Sequence, residues 1–123
     1  MRFMAIVKSN QNDEASSPPN QKLMEAVGKL AEELIKSGVL LDTAGLLPTS
    51  FGTRIRVTRG KMTVKDGPFT EAKEIIGGYA ILQVRSKEEA IELGRRFMQV
   101  HVDIEGAACH RELEVRQIFD PAG

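Results

Sequence analysis

Six side chains in this 123-residue chain have the chemistry to make a site: Asp66, Phe69, Glu74, Tyr79, His101 and Arg116. Asp66 and His101 are the candidates for proton transfer. Histidine titrates near neutrality, so His101 facing Asp66 or Glu74 across a pocket can serve as a general base. Its other reading is packing or capping near a helix end. Asp66 also has two readings. Beside Gly67-Pro68 it can hold a turn by bonding the backbone just ahead of it. At the end of an apolar strand face its carboxyl would be perturbed, and so fit for acid–base or ligand-binding work. Phe69, Glu74, Tyr79 and Arg116 are the ligand-binding candidates. Tyr79 is either a pocket donor or a core residue with a satisfied hydroxyl. Glu74 can instead form a solvated pair with Lys73, and Arg116 can pair with Glu114.

Metal chemistry has a weaker basis. His101, Asp103, Glu105, Cys109 and His110 contain no pair at a recognised ligand spacing, and Cys109 and His110 in a strand would point to opposite faces. No activating base for Cys109 is identifiable. The chain has no P-loop, glycine-rich dinucleotide fingerprint, G-x-S-x-G or zinc finger. No metal and no cofactor are expected.

The elements that must position these residues start from a hairpin. Residues 54–58 and 61–65 alternate with period two around Arg59-Gly60, a two-residue loop. That register pairs Val57 with Met62 and Ile55 with Val64 on one face, and puts Arg54, Arg56, Thr63 and Lys65 on the other. A slip by one residue would mix the faces. Asp66 has the parity of Met62 and Val64, which points it inward. The basic face is either a solvated edge that blocks aggregation or a surface for an anion or acidic partner. Pro68 then bends the chain. Gly77-Gly78 marks a bulge or a close approach by a strand, a subunit or a ligand.

The remaining elements are read in order. Arg2 to Lys8 is a strand buried on both faces. Ser17-Pro18 suits a helix start. Gln21 to Ser37 is a helix with an apolar stripe at Leu23, Val27, Leu30 and Leu34, stopped at Gly38. Val39-Leu40-Leu41 begins a strand, with a bulge or loop at residues 42–45. Ile75 to Val84 is a strand. Ser86 and Glu89 form a capping box for a helix that buries Ala90, Leu93, Gly94, Phe97 and His101. Residues 102–111 read as irregular, and Leu113 to Phe119 as the last strand.

Composition limits the partners. Seventeen cationic and seventeen anionic residues leave no net charge, which argues against nucleic-acid binding. One cysteine excludes an internal disulfide and fits a reducing compartment. No run approaches about 20 apolar residues, so no membrane association is expected and the location is expected to be cytoplasmic. The order strand, helix, strand, hairpin, strand, helix, strand makes one α+β domain over residues 1–123, in which two helices cover only one face of the sheet. The strands are apolar on both faces. A homodimer that covers the open face follows, with a small-molecule pocket between the sheets or between sheet and helices.

With Asp66-Gly67-Pro68-Phe69-Thr70-Glu71-Ala72-Lys73-Glu74 in place, together with Gly38-Val39, Gly78-Tyr79 and Glu114-Val115-Arg116, the chain resembles the YCII-related family in its branch named for the DGPF motif. The resemblance covers nearly the whole chain. It implies a ferredoxin-like dimeric α+β barrel: an antiparallel sheet, two helices on one face and an inserted β-hairpin. It implies either a small enzyme with a His–Asp pair or a regulatory module associated with transcription sigma factors. The family's proposed catalytic histidine lies near the start of the first helix, where this chain reads Pro19-Asn20-Gln21-Lys22. That role therefore does not carry over from that position. Two function classes follow: a small-molecule enzyme or binder with a pocket near the motif, and a non-catalytic interaction module.

Overall fold

The apolar run that follows Met1 forms β1 (Arg2–Ser9), flanked on both sides by other strands. After it come α1 (Gln21–Lys36), β2 (Leu40–Gly45), β3 (Thr53–Thr58), β4 (Lys61–Asp66), β5 (Ile75–Gln83), α2 (Lys87–Glu105) and β6 (Glu112–Gln117). Short 3₁₀ turns lie at Thr49–Phe51 and Gly106–Ala108. The computed structural model describes residues 1–9, 20–69 and 74–121. The expected helix start at Ser17-Pro18 and residues 70–73 of the motif stretch lie outside the described residues.

β1, β2, β5 and β6 make an antiparallel sheet in the order β2-β5-β1-β6. With β3 and β4 set aside, that is the ferredoxin-like order. β3 and β4 form a separate two-stranded sheet inserted between β2 and β5. Alternation divides the main sheet cleanly. Phe3, Ala5, Leu82, Ala80 and Val115 face the helices, where Phe3, Leu34, Leu40, Leu82, Val84 and Ala90 form the core. Met4, Ile6, Tyr79 and Ile81 share the other face with Glu114 and Arg116. Among the described residues no helix covers that second face.

Local chemistry explains the element ends. Asn20 caps α1, its side chain accepting from the Leu23 amide at 3.2 Å. Gly38 takes the left-handed conformation just past its end. Ser86 caps α2 by accepting from the Glu89 amide at 3.1 Å. The Glu89 carboxylate accepts from the Arg85 amide at 3.3 Å, one residue before the position a capping box uses. Gly94 brings α2 down onto β6, since a Cβ there would lie 3.1 Å from Leu113 Cδ2.

Two expectations are corrected. Residues 102–105 are helical rather than irregular. They contain no Gly or Pro, and Gly106, with φ 59°, is the first residue suited to ending the helix. Residues 42–45 belong to β2, with the expected irregularity between Leu40 and Asp42. Cys109 and His110 lie before β6, which begins at Glu112, in agreement with the irregular reading of that stretch.

The hairpin has the expected register, with Val57 opposite Met62 and Ile55 opposite Val64. Arg59 and Gly60 both have positive φ, as a two-residue hairpin turn requires. Its apolar face does not point into the chain's own core, however. Ile55, Val57, Met62 and Val64 are between 62 % and 69 % exposed. The paired glycines fulfil both of their readings. β1 and β5 slip register beside Gly77, and a Cβ on Gly78 would lie 2.9 Å from the Ala44 carbonyl oxygen of β2. Among the described residues no helix is long and apolar enough to cross a membrane.

Candidate functional site

The six candidate residues fall in three places. Asp66 and Phe69 lie at the base of the hairpin. Asp66 is exposed and accepts a hydrogen bond from Thr53 Oγ1 at 2.9 Å, directly across the ladder. The expected bond to the backbone just ahead gives way to this cross-strand one. The Gly67 amide donates to the Gly52 carbonyl at 2.9 Å, and a Cβ on Gly67 would stand 1.8 Å from the Thr49 carbonyl oxygen. Phe69 is 6 % exposed, its amide meets Thr49 Oγ1 at 3.4 Å, and the Arg54 guanidinium lies 3.9 Å from its ring centroid. The described part of the motif therefore seats the hairpin stem on the 3₁₀ turn at residues 49–51.

Glu74, Tyr79 and Arg116 gather at the open face of the main sheet. Lys8 sits between Glu74 Oε2 at 3.2 Å and Glu114 Oε1 at 3.4 Å. Glu114 also accepts from Arg116, with Nε at 2.6 Å, so Arg116 takes the pairing role. The two carboxylates, Glu74 foremost, hold the Lys8 ammonium above its ordinary range, while the Arg116 bond holds Glu114 below the usual carboxylate range. Tyr79 donates its hydroxyl to Asp42 Oδ2 at 3.1 Å, which raises the phenol above its ordinary value. The open face thus has an apolar centre and a charged rim. Lys8 and Asp42 were not singled out from sequence. Lys8 ends an apolar run and so reads as a strand terminus, and Asp42 lies in a stretch with poor strand propensity.

His101 lies in neither place. It is 5 % exposed on the inner side of α2, with Nδ1 2.9 Å from the Phe97 carbonyl and its ring edge-on to Phe97 at 4.6 Å. A carbonyl only accepts, so Nδ1 carries the proton. Burial lowers the His101 pKa, assisted by Arg111 and opposed by the Phe97 bond and by Glu105. Glu105 is itself engaged by Arg111 in two bonds of 2.7 and 2.9 Å. Asp66 bonds Thr53 and His101 bonds Phe97. Among the described residues no hydrogen bond or ion pair joins the two.

A cavity of about 210 Å³ lies between the sheet and both helices. Val27, Leu30 and Ala31 of α1, Leu93 and Phe97 of α2, and Val7 and Leu113 of the sheet form its walls. Thr43 supplies the polar side chain among the described lining residues, and Tyr79, whose ring lies on the other face of the sheet, borders the cavity with its backbone. The Thr43 hydroxyl donates to the Tyr79 carbonyl at 2.9 Å and keeps its lone pairs. Of the six candidates, Tyr79 alone borders this cavity, and His101 reaches it only through Phe97. Among the described residues no group of three or more His, Cys, Asp or Glu is placed to hold a metal ion.

Comparison with known proteins adds two findings. The YCII-related domain matches residues 1–113. An uncharacterised protein of Rhizobium meliloti (strain 1021) is 29 % identical over 89 residues, 68 % of this chain and 72 % of the relative.

Two outcomes test these geometries. Asp66→Asn keeps an oxygen for Thr53 and should stay within about 1 kcal/mol of wild type in chemical unfolding. Gly67→Ala forces a methyl onto a backbone carbonyl and should cost about 3 kcal/mol or more. Thermal melts should also show His101. Its folded pKa lies below the ordinary 6.5, so the unfolded chain takes the proton first as pH falls. Its stabilising contribution is present above 6.5 and is lost below it. The melting temperature should fall as pH drops below 6.5, before the lowered carboxylates Glu105 and Glu114 titrate. His101→Gln should flatten that fall.

Proposed function

The chain belongs to the YCII-related domain family, and on that premise we propose that it is a small-molecule-binding homodimer. Its ligand occupies the cavity between the sheet and the two helices. The cavity itself carries this reading: about 210 Å³ of partly open space between the sheet and the two helices, with an almost wholly apolar wall. Apolar cavities of about 150 Å³ accept a molecule the size of benzene, so this one suits a single ring or a short aliphatic chain. Thr43 supplies a hydroxyl at the wall, which favours a ligand with one polar group. A purely structural or regulatory module, such as one linked to sigma factors, would more naturally have a filled core. The chain's Asp-Gly-Pro-Phe sequence places it, in this reading, in the branch of the family that carries that motif.

The charged residues take supporting roles. Asp66 and Phe69 hold the hairpin stem, and His101 backs Phe97 at the cavity wall. The Tyr79 side chain lies on the opposite face of the sheet, bonded to Asp42, so no ionisable side chain among the described lining residues reaches the cavity. The dimer follows from the open sheet face, where Met4, Ile6 and Ile81 lack a helix to cover them. A cytoplasmic location fits the single free thiol.

Methyl NMR with phenol, p-cresol and hexanol as probes tests the proposal. Resonances of Val27, Leu30, Leu93 and Leu113 should shift together, with a Kd between about 1 µM and 1 mM. Ala31→Leu fills the space and should abolish the shifts while leaving the fold intact. Shifts confined to the surface, or none at millimolar probe, would contradict it.

A further inference from the structure

We propose that the β3–β4 hairpin is an exchanged arm. In the homodimer of the preceding reading, on which this rests, its apolar face lies against the open sheet face of a second copy. Each copy gives its arm to the other about a two-fold axis.

The argument starts from the hairpin alone. A two-stranded hairpin in water is marginally stable unless its apolar face is packed. Here the ladder is complete and the turn well formed, yet the four apolar side chains of one face are mostly exposed. At the hairpin's foot Leu47 and Phe51 are also mostly exposed. Six large apolar side chains at this exposure offer several hundred Å² per arm. Each copy contributes one arm and one receiving face, which together approach the roughly 800 Å² per partner that a specific dimer requires.

The same chain carries the matching surface. Met4, Ile6, Tyr79 and Ile81 form an apolar centre on the side of the sheet away from the helices. Docking arm against open face covers both patches at once, which a hairpin-to-hairpin contact would not. Charge selects in the same direction. Residues 53–66 carry five cations and one anion. Since the whole chain is neutral, the remainder carries four net negative charges. Two arms would repel each other, whereas an arm and the body of another copy attract. The rim that the arm would approach carries Asp42, Glu74 and Glu114 against Lys8 and Arg116, an excess of one negative charge. A closed two-fold exchange satisfies both patches on both copies without forming a filament.

The test uses the full chain. Light scattering should give twice 13.6 kDa for the wild type. The double substitution Val57→Asp with Met62→Asp should raise the dimer dissociation constant about a hundredfold or more, with unchanged far-UV circular dichroism. A photo-crosslinker at position 62 should join peptides containing Ile6 or Ile81 of an isotope-labelled second copy. A dimer that survives the double substitution overturns the exchanged arm and leaves the dimer standing. A wild-type monomer at micromolar concentration overturns both, while ligand binding in the cavity stays a separate question. Should the double variant lose its fold, the crosslink decides. Capture of helix peptides, or of none from a second copy, counts against the arm.

Discussion

Two helices cannot cover two faces of a four-stranded sheet, and this constraint orders the whole structure. α1 and α2 both lie on the face that carries Phe3, Ala5 and Leu82. They are braced by the Arg96–Glu33 pair at 2.6 Å and seated by Gly94 against Leu113. Everything apolar on that face becomes core or cavity wall. Over everything apolar on the other face, from Met4 to Ile81, no helix lies among the described residues. Lys8, Glu74, Glu114 and Arg116 form a charged rim at the margin of that face.

The second constraint is steric and local. Gly67 has no room for a side chain beside the Thr49 carbonyl, and Gly78 has little beside Ala44. The first contact fixes the hairpin stem on the 3₁₀ turn, and the second draws β2 onto β5. Together with the Arg54–Phe69 stacking, they set where the hairpin leaves the body. Asp66 contributes one bond to Thr53 in this arrangement, and its immediate neighbours are structural.

Much of the fold was legible in the sequence. The hairpin register followed from alternation alone, because a slip by one residue would have mixed Met62 with Thr63. Ser86 and the Leu23–Leu34 stripe located both helices, and Gly77-Gly78 announced the bulge. The orientation of the hairpin was not legible. Period two tells which side chains share a face but not what that face meets, so Asp66 was expected inward and is exposed. The length of α2 was missed because Val102 and Asp103 break its apolar stripe, while helix continuation depends on backbone bonds and on the first available stop, Gly106. Of the candidate site, the grouping of Glu74, Tyr79 and Arg116 near one face was partly readable from strand parity. The cavity was not, since its walls are the same Leu, Val and Ala residues that any core would use, and only their spacing in three dimensions leaves room.

The central claim is that the open sheet face is closed by another copy of the chain. Solvent paramagnetic relaxation of methyl groups, measured across a dilution series, addresses it directly. At high concentration the methyls of Met4, Ile6 and Ile81, and those of Val57 and Met62, should be shielded from a soluble paramagnetic agent. They should become accessible together as the protein is diluted, while Leu34 and Leu82 stay shielded throughout. Full accessibility of Met4, Ile6 and Ile81 at every concentration would contradict the account.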